Sequence, residues 1–462
     1  MTDVTVAETG RGGTVRPVPG SGPAPSCVTR TRVLTGVGGI PPGLHLAVSD
    51  LADVTDRPWQ SCLRTFGTSW EGPEPARRSA EGEAVERFCE AHAPAPERLH
   101  WGSHRELTRR GLRALHPRRL VLYSARQYAT PGFPFRPFGP DSPAHWIEAR
   151  SVRHGTSVLV PAFLAYSAWP RMPRPHPEPL YAFPAVGGIA AGPTKEFALL
   201  SGLEEVIERD AAAVWWANAH PSPTLPADTS LLRLTEGAQR AFDVRFTHLA
   251  NDFGVPVLAA GVRSRAEGWL TYGFAARADP LEAAAKALAE AYTLQISCLS
   301  LDSPSGVPDT AGRPSPFKDW RPNRRYLDSY RADGRDAVEQ LCHLQLYLDR
   351  RAADRVAPWA WAAPSTGAWA EVPALPQRAA DVLLARVVDG GHEVLSVDLT
   401  TPEATAAGMF AVRVIVPGLV GAAPAAYPAL GGRRMQEAGV RLGWQEHALK
   451  EETLNTFPMP HS

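Results

Sequence analysis

Two segments of the chain repeat one arrangement of acidic and basic residues. Glu83-Ala84-Val85-Glu86-Arg87 and Glu205-Val206-Ile207-Glu208-Arg209 both read E-x-x-E-R. Apolar residues recur around them at helical spacing: Ala80, Ala84, Val85 and Phe88 in the first, Leu199, Leu200, Leu203, Val206, Ile207 and Val214 in the second. Residues three apart on a helix lie about 60° apart around its axis, so each glutamate pair shares a polar face with the arginine that follows. One such motif is common decoration of a solvated helix face. Two copies offer four carboxylates from two helices, and carboxylate oxygens suit hard divalent cations. Mg²⁺ takes such oxygens while keeping waters and substrate phosphates. An arginine beside each pair can grip phosphate oxygens. The motif pair therefore points to a metal–nucleotide site. No E-x-x-H segment accompanies it, which argues against a di-iron bundle.

The second helix follows Gly187-Gly188-Ile189-Ala190-Ala191-Gly192-Pro193-Thr194-Lys195. The glycines have P-loop spacing, but Pro193 stands where the phosphate-binding lysine is required, so a P-loop is rejected. A glycine-rich turn entering a helix can still receive an anion on backbone N–H donors, or be an ordinary tight turn. Lys+Arg and Asp+Glu both number 48, and this balance argues against a nucleic-acid binder. Cys27, Cys62, Cys89, Cys298 and Cys342 are widely spaced with no C-x-x-C pair, so neither a zinc ribbon nor a disulfide framework is indicated. The N-terminus has no apolar core segment, so no signal peptide is expected. The uncharged stretch Val414–Gly432 is broken by Pro417, Pro424 and Pro428 and does not read as a membrane span. A cytoplasmic protein is expected.

The elements that must hold these residues alternate along the chain. Helices are predicted over 76–91, 195–219, 230–251, 279–298, 334–347 and 379–390. Strands are predicted over 119–123, 157–161, 255–262, 393–399 and 412–416. This alternation indicates an α/β class. Residues 1–30 lack apolar periodicity and read as a flexible tail. Pro/Gly-rich loops fall at 129–144, 167–187 and 302–325, the last long enough to be functional or mobile. Residues 451–462 read as an extended tail, because Pro458 and Pro460 favour extended backbone. Trp215 and Trp216 are expected in the core. Arg105 to Arg119 form a basic stretch, expected as a solvated helix face, with contact to an acidic peptide as the rival.

Five ordered blocks resemble the YcaO-type proteins, an ATP-dependent peptide-modifying family that includes azoline-forming cyclodehydratases. They are Ser79–Phe88 (SAEGEAVERF), Gly187–Trp216 (GGIAAGPTKEFALLSGLEEVIERDAAAVWW), Asp279–Gln295 (DPLEAAAKALAEAYTLQ), Val397–Pro402 (VDLTTP) and Val412–Leu419 (VRVIVPGL). The resemblance covers residues 60–462. It implies a YcaO-type α/β fold over 31–450, with mixed sheets and packed helices carrying the paired motifs. It implies ATP and Mg²⁺, with Glu83, Glu86, Glu205 and Glu208 as metal ligands. Ser79, Arg87, Arg209, Glu290 and Gln295 would meet the nucleotide. The family's P-x-P-x-P tail, reaching towards the active site, appears as Pro458-Met459-Pro460-His461-Ser462, so Pro458, Pro460 and Ser462 are the implied catalytic-tail positions. The chain departs from the family pattern where Pro193 and Phe197 replace Asn and Glu, where Gln295 replaces Arg, and where Thr68-Ser69-Trp70 replaces a Lys-bearing G-K-G.

The implied activity is cyclodehydration. A Cys, Ser or Thr of a ribosomally made precursor peptide would close on the preceding amide, whose oxygen is phosphorylated, giving a thiazoline or oxazoline. Amidine or thioamide formation, and a non-catalytic scaffold beside an active homologue, are the rival readings. The N-terminal segment is too short and polar for a leader-binding domain, so a separate leader-binding partner is expected. A homodimer is compatible with the sequence, which does not fix the oligomeric state.

Overall fold

The structure, a computed structural model, describes residues 14–16, 25–35, 37, 40–52, 57–60, 62–184, 187–306, 315–361 and 366–461. Three antiparallel sheets carry the fold. The first comprises β1 (Thr14–Arg16), β2 (Val28–Thr35), β3 (His45–Leu51) and β4 (Arg64–Ser69), in that order. β5 (His100–Gly102), β6 (Ala144–Ser151), β7 (Ser157–Pro161) and β8 (Ile189–Gly192) enter a second, central sheet. β9 (Thr224–Leu225), β10 (Phe242–His248), β11 (Val257–Ser264) and β12 (Leu270–Ala276) form the third, ordered β12-β11-β10-β9. β13 (Leu395–Asp398) and β14 (Phe410–Ile415) return to the central sheet and complete the order β5-β6-β13-β14-β8, with β7 beside β6.

Each sheet presents one long helix. α1 (Pro73–Glu90) starts with proline in its first turn, where the missing N–H costs nothing. α2 (Lys195–Asn218) is capped by the Thr194 side chain, which accepts from the Phe197 N–H. α3 (Pro280–Leu301) is capped by Asp279, which accepts from the N–H groups of Leu281 and Glu282. α1 lies on the first sheet, with Ala76 and Ala80 against Val33 and Ala47. α3 buries Ala287, Leu288 and Ala291 with Leu258, Ala260 and Val262 of the third sheet. α2 joins the others: Leu203 and Ile207 share one core with Val412 and Val414 of β14 and with Tyr272 and Phe274 of β12.

The first and third sheets use the same device to bring a helix close. A Cβ at Gly67 of β4 would stand 2.1 Å from the Ala80 nitrogen and 2.3 Å from the Ala76 oxygen. A Cβ at Gly273 of β12 would stand 2.0 Å from the Ala287 oxygen and 2.6 Å from the Ala291 nitrogen. Glycine on the strand and alanine on the helix let the two backbones touch. The residue beside each glycine, Phe66 or Phe274, then points its N–H at a glutamate of the helix.

Several predicted elements differ. The helix expected over 230–251 is a short helix at Thr229–Leu234 followed by strand β10. Gly237 has a φ of 83°, which stops the helix, and the aromatic and β-branched FDVRFTH run pairs with β11 instead. Residues 119–123 form no ladder: a 3₁₀ turn at Pro117–Arg119 leads into extended backbone outside the sheets. The helix expected from 334 begins at Leu341. Part of the N-terminal segment is structured, since Thr14–Arg16 pairs with β2, and β2 itself starts at Val28. Residues 307–314 of the long loop lie outside the described residues. β6 and β12 were missed because both faces of each are largely buried, which removes the alternation that marks a strand. Replacing Gly273 by Ala should destabilise the protein by about 1–3 kcal/mol or more, because helix backbone blocks the new methyl. Denaturant unfolding checks this, with an exposed Gly43→Ala variant as control for a site with open space and no positive φ.

Candidate functional site

The three long helices meet around a cavity of about 950 Å³. α1 contributes Ser79, Glu83, Glu86 and Arg87 to its lining, α2 contributes Glu205, Glu208 and Arg209, and α3 contributes Lys286 and Glu290. The doubled motif thus faces one space, and the apolar faces of its helices hold it there by packing on separate sheets.

Four of the glutamates are aimed by backbone. The Phe66 N–H donates to Glu83 Oε2 at 3.3 Å, and the Ala191 N–H to Glu86 Oε1 at 3.0 Å. The Gly188 N–H donates to Glu205 Oε2 at 2.8 Å, and the Phe274 N–H to Glu290 Oε2 at 2.9 Å. One oxygen of each carboxylate is fixed by an edge of sheet or the glycine loop, leaving its second oxygen available to a ligand. Arg209 is ringed by carboxylates: its Nε lies 3.7 Å from Glu205 Oε1 and 3.4 Å from Glu208 Oε1, and its Nη2 lies 3.6 Å from Glu290 Oε1. Arg87 Nη1 donates to Glu90 at 3.0 Å, while its buried Nε has no hydrogen-bond partner.

Burial dominates the electrostatics. It raises the Glu83 carboxyl and pushes Glu86 up to about 8 and Glu208 up to about 7, despite Arg87 and Arg209 pulling the other way. The Glu290 carboxyl is set among Arg209, Lys286 and the His461 ring. Glu208 is buried and Glu83, Glu86, Glu205 and Glu290 are half-buried; carboxylates crowded together with so little positive charge fit divalent cations. They do not form a ready-made cage: among the described residues no group of three or more His, Cys, Asp or Glu is placed to hold one ion. Glutamate pairs completed by waters and phosphates are the arrangement that Mg²⁺ accepts. Arg87, whose Nε lies 3.7 Å from Glu83 Oε1 without a hydrogen bond, and the cations Arg209 and Lys286 suit an anion in the same cavity.

The C-terminal segment threads to this cluster. Trp216 Nε1 donates to the Phe457 carbonyl at 2.6 Å, the Tyr347 hydroxyl to the Pro458 carbonyl at 3.0 Å, and the Tyr272 N–H to the Pro460 carbonyl at 2.8 Å. His461 is buried, with Nδ1 2.9 Å from the Tyr272 carbonyl. Nδ1 must carry the proton to make that bond, which leaves Nε2 to accept from Arg209 Nη1. Burial and the Arg209 charge lower the His461 ring to about 4, in keeping with this neutral form. Pro458 and Pro460 offer the carbonyls that anchor the chain, and neither is among the described residues lining the cavity. Ser462 lies outside the described residues.

Gln295 is placed elsewhere. Its amide is buried beneath the third sheet and donates to the carbonyls of Val262 and Trp269 and to the Thr271 hydroxyl, at 3.0, 3.4 and 3.1 Å. It is one residue past Leu294, which does line the cavity, and the helix turns it to the opposite side. Sequence reasoning missed Lys286 and Arg277, which both line the cavity. Lys286 carried a signal: it is one of four lysines in the chain and precedes Glu290 by one helical turn. Arg277 carried none, since its place is set by Glu204, a buried carboxylate that also receives Arg378 at 2.8 Å. Trp215 and Trp216 pack in the core as expected, 5.6 Å apart and edge to face.

The Glu86 shift has a measurable consequence in the metal-free chain. Folded Glu86 titrates near 8 instead of 4.5, so the folded state retains a proton that the unfolded state has released. Stability should fall as pH rises from about 5 to 8. Glu86→Gln, whose amide oxygen can still accept from Ala191, should flatten that slope in denaturant titrations.

Comparison with known proteins bears on this site. The structure superposes on a heterocyclase solved in complex with substrate and cofactor, with a TM-score of 0.66 and 22% identity over 94% of this chain and 55% of that one. It matches the heterocyclase TruD with a TM-score of 0.58 and 24% identity over 84% and 52% of the two chains. It matches YcaO from Methanopyrus kandleri, solved with AMPPCP and Mg²⁺, with a TM-score of 0.56 and 20% identity over 86% and 90%. The chain thus spans about half the length of the two heterocyclases. No curated protein matches in sequence. No helix among the described residues is long and apolar enough to cross a membrane. The family model described as YcaO cyclodehydratase, ATP- and Mg²⁺-binding, matches residues 71–420, and the chain belongs to the YcaO family.

Proposed function

We propose that the protein catalyses ATP-dependent cyclodehydration of Cys, Ser or Thr residues in a ribosomally made precursor peptide. The observation that carries this reading is the cavity where both E-x-x-E-R motifs, Lys286 and Glu290 face one space. The substrate thiol or hydroxyl adds to the preceding amide carbonyl and loses its proton. The former carbonyl oxygen takes the terminal phosphoryl group of ATP, and ADP leaves. Phosphate then departs with that oxygen as the amide N–H proton is lost, which leaves the C=N bond of an azoline. An amide oxygen is a poor leaving group, and its transfer to phosphorus makes it a good one.

The residues divide this work. Glu83, Glu86, Glu205 and Glu208 would hold Mg²⁺, which supplies positive charge against the phosphates. Arg87 and Arg209, which line the cavity, would grip phosphate oxygens. Ser79 lines the same space as a hydroxyl donor. Neutral His461 holds Arg209 in place from behind. We also propose a separate leader-binding partner that supplies the precursor peptide. A cytoplasmic location and a homodimer complete the reading.

Mass spectrometry of precursor peptide incubated with the protein, its partner, ATP and Mg²⁺ tests the reaction. Loss of one water per ring is expected. Exchange of oxygen for sulfur would establish thioamidation, and water loss with fragments joined through a backbone amine would establish an amidine. Glu205→Ala should lower turnover at least ~100-fold while the far-ultraviolet spectrum stays native, the scale of losing one preorganised charge contact in a phosphoryl-transfer site. Full activity in that variant would sink the assignment. His461→Ala should lower kcat more than it raises KM for ATP. His461→Gln should restore part of the loss, since its amide can accept from Arg209.

A further inference from the structure

A second, smaller cavity also has Arg209 in its lining. Its volume is about 140 Å³, close to the ~150 Å³ of an engineered protein cavity that takes one benzene molecule. Its walls include Leu122, Tyr123, Phe183, Val206, Leu419 and Tyr427. The aromatic side is fixed: the Tyr123 hydroxyl accepts from the Phe183 N–H at 2.8 Å, and the Phe183 and Tyr427 rings lie 5.8 Å apart. Gly421 is exposed and Ala422 half-exposed at the rim, while Arg413, also in the lining, is buried.

Arg209 is the one described residue that lines both cavities. Gly187 lies beside it on the apolar side. A Cβ on Gly187 would stand 3.2 Å from Arg209 Cγ and 3.7 Å from Glu205 Oε1. The lack of a side chain therefore keeps the apolar cavity next to the carboxylate cluster. A polar chamber and an apolar chamber that meet at one phosphate-gripping arginine suit a reaction that joins two unlike substrates.

We propose that the apolar cavity receives the side chain of the substrate residue whose carbonyl oxygen is phosphorylated, the residue preceding the cyclised Cys, Ser or Thr. This rests on the reading of the preceding subsection. That side chain is attached one carbon from the reacting carbonyl. When the oxygen sits beside the phosphoryl group, the side chain must occupy a space adjoining the Arg209 side of the polar chamber. The cavity holds one side chain of leucine or phenylalanine size. It offers apolar contact on its walls and two cations, Arg209 and Arg413, towards its floor. A lysine would meet like charge there, and an aspartate would lose its water among apolar walls.

Three synthetic dipeptides test this: N-acetyl-Leu-Cys-amide, N-acetyl-Asp-Cys-amide and N-acetyl-Lys-Cys-amide. Their binding to the full chain is measured by saturation-transfer NMR with Mg²⁺ and AMPPCP present. The Leu peptide should bind at least ~10-fold more tightly than the other two, the discrimination that an apolar pocket supplies. Ala422→Trp, at the rim, should abolish binding of the Leu peptide, while Phe183→Ala should shift preference from Leu to a Trp-Cys analogue. Equal binding of all three peptides, no binding of any, or full binding in Ala422→Trp would overturn the proposal. Nucleotide affinity is measured separately. Its loss in Glu205→Ala supports the assignment of the polar chamber, and its persistence there would overturn that assignment independently of the peptide result.

Discussion

Carboxylates crowded into one half-buried cluster repel one another and lose part of their hydration, and the architecture is arranged around that cost. Glu83, Glu86, Glu205, Glu208 and Glu290 face one cavity, with Arg87, Arg209 and Lys286 as its neighbouring cations. Burial is the largest influence on every one of these carboxyls whose titration is displaced. A cluster in this state favours further positive charge, the electrostatic basis of the proposed Mg²⁺ and phosphate sites. The strain is tolerable because four of the five carboxylates also accept a backbone N–H, a charge-assisted bond that holds each one in place without cancelling its charge.

Those backbone donors explain the sheet arrangement. The first and third sheets approach their helices through Gly67 and Gly273, and the neighbouring Phe66 and Phe274 each turn an N–H towards a glutamate. The two units thus solve one problem in the same way at opposite sides of the cavity. α2 lies between them on the central sheet, where β8 supplies the Ala191 donor and the glycine turn supplies Gly188. Rigid backbone does the aiming, so side-chain entropy is lost in folding and not at each round of ligand binding.

The C-terminal segment closes the arrangement from behind. Each proline lacks an N–H, so the segment is held through its carbonyls by Tyr347 and Tyr272, and the chain runs extended into the core. His461 meets both Arg209 and Glu290, which couples this segment to the one described residue shared by the polar and apolar chambers.

The sequence by itself determined the local chemistry. The E-x-x-E-R spacing put each glutamate pair on a helix face, and apolar spacing over 195–219 and 279–298 placed two of the long helices close to where they run. These are properties of neighbours within a turn or two, so pattern and propensity reveal them. Strands β6 and β12 escaped because burial on both faces erases their alternation, and residues 230–251 misled because short apolar runs fit either period. Tertiary structure alone decided which residues meet. Gln295 and Glu290 share a helix, yet one faces the sheet and the other the cavity. Arg277 reaches the site through Glu204, and Arg209 separates two chambers, both by contacts between segments distant in the chain. Such contacts depend on how three sheets pack, and no local pattern encodes that.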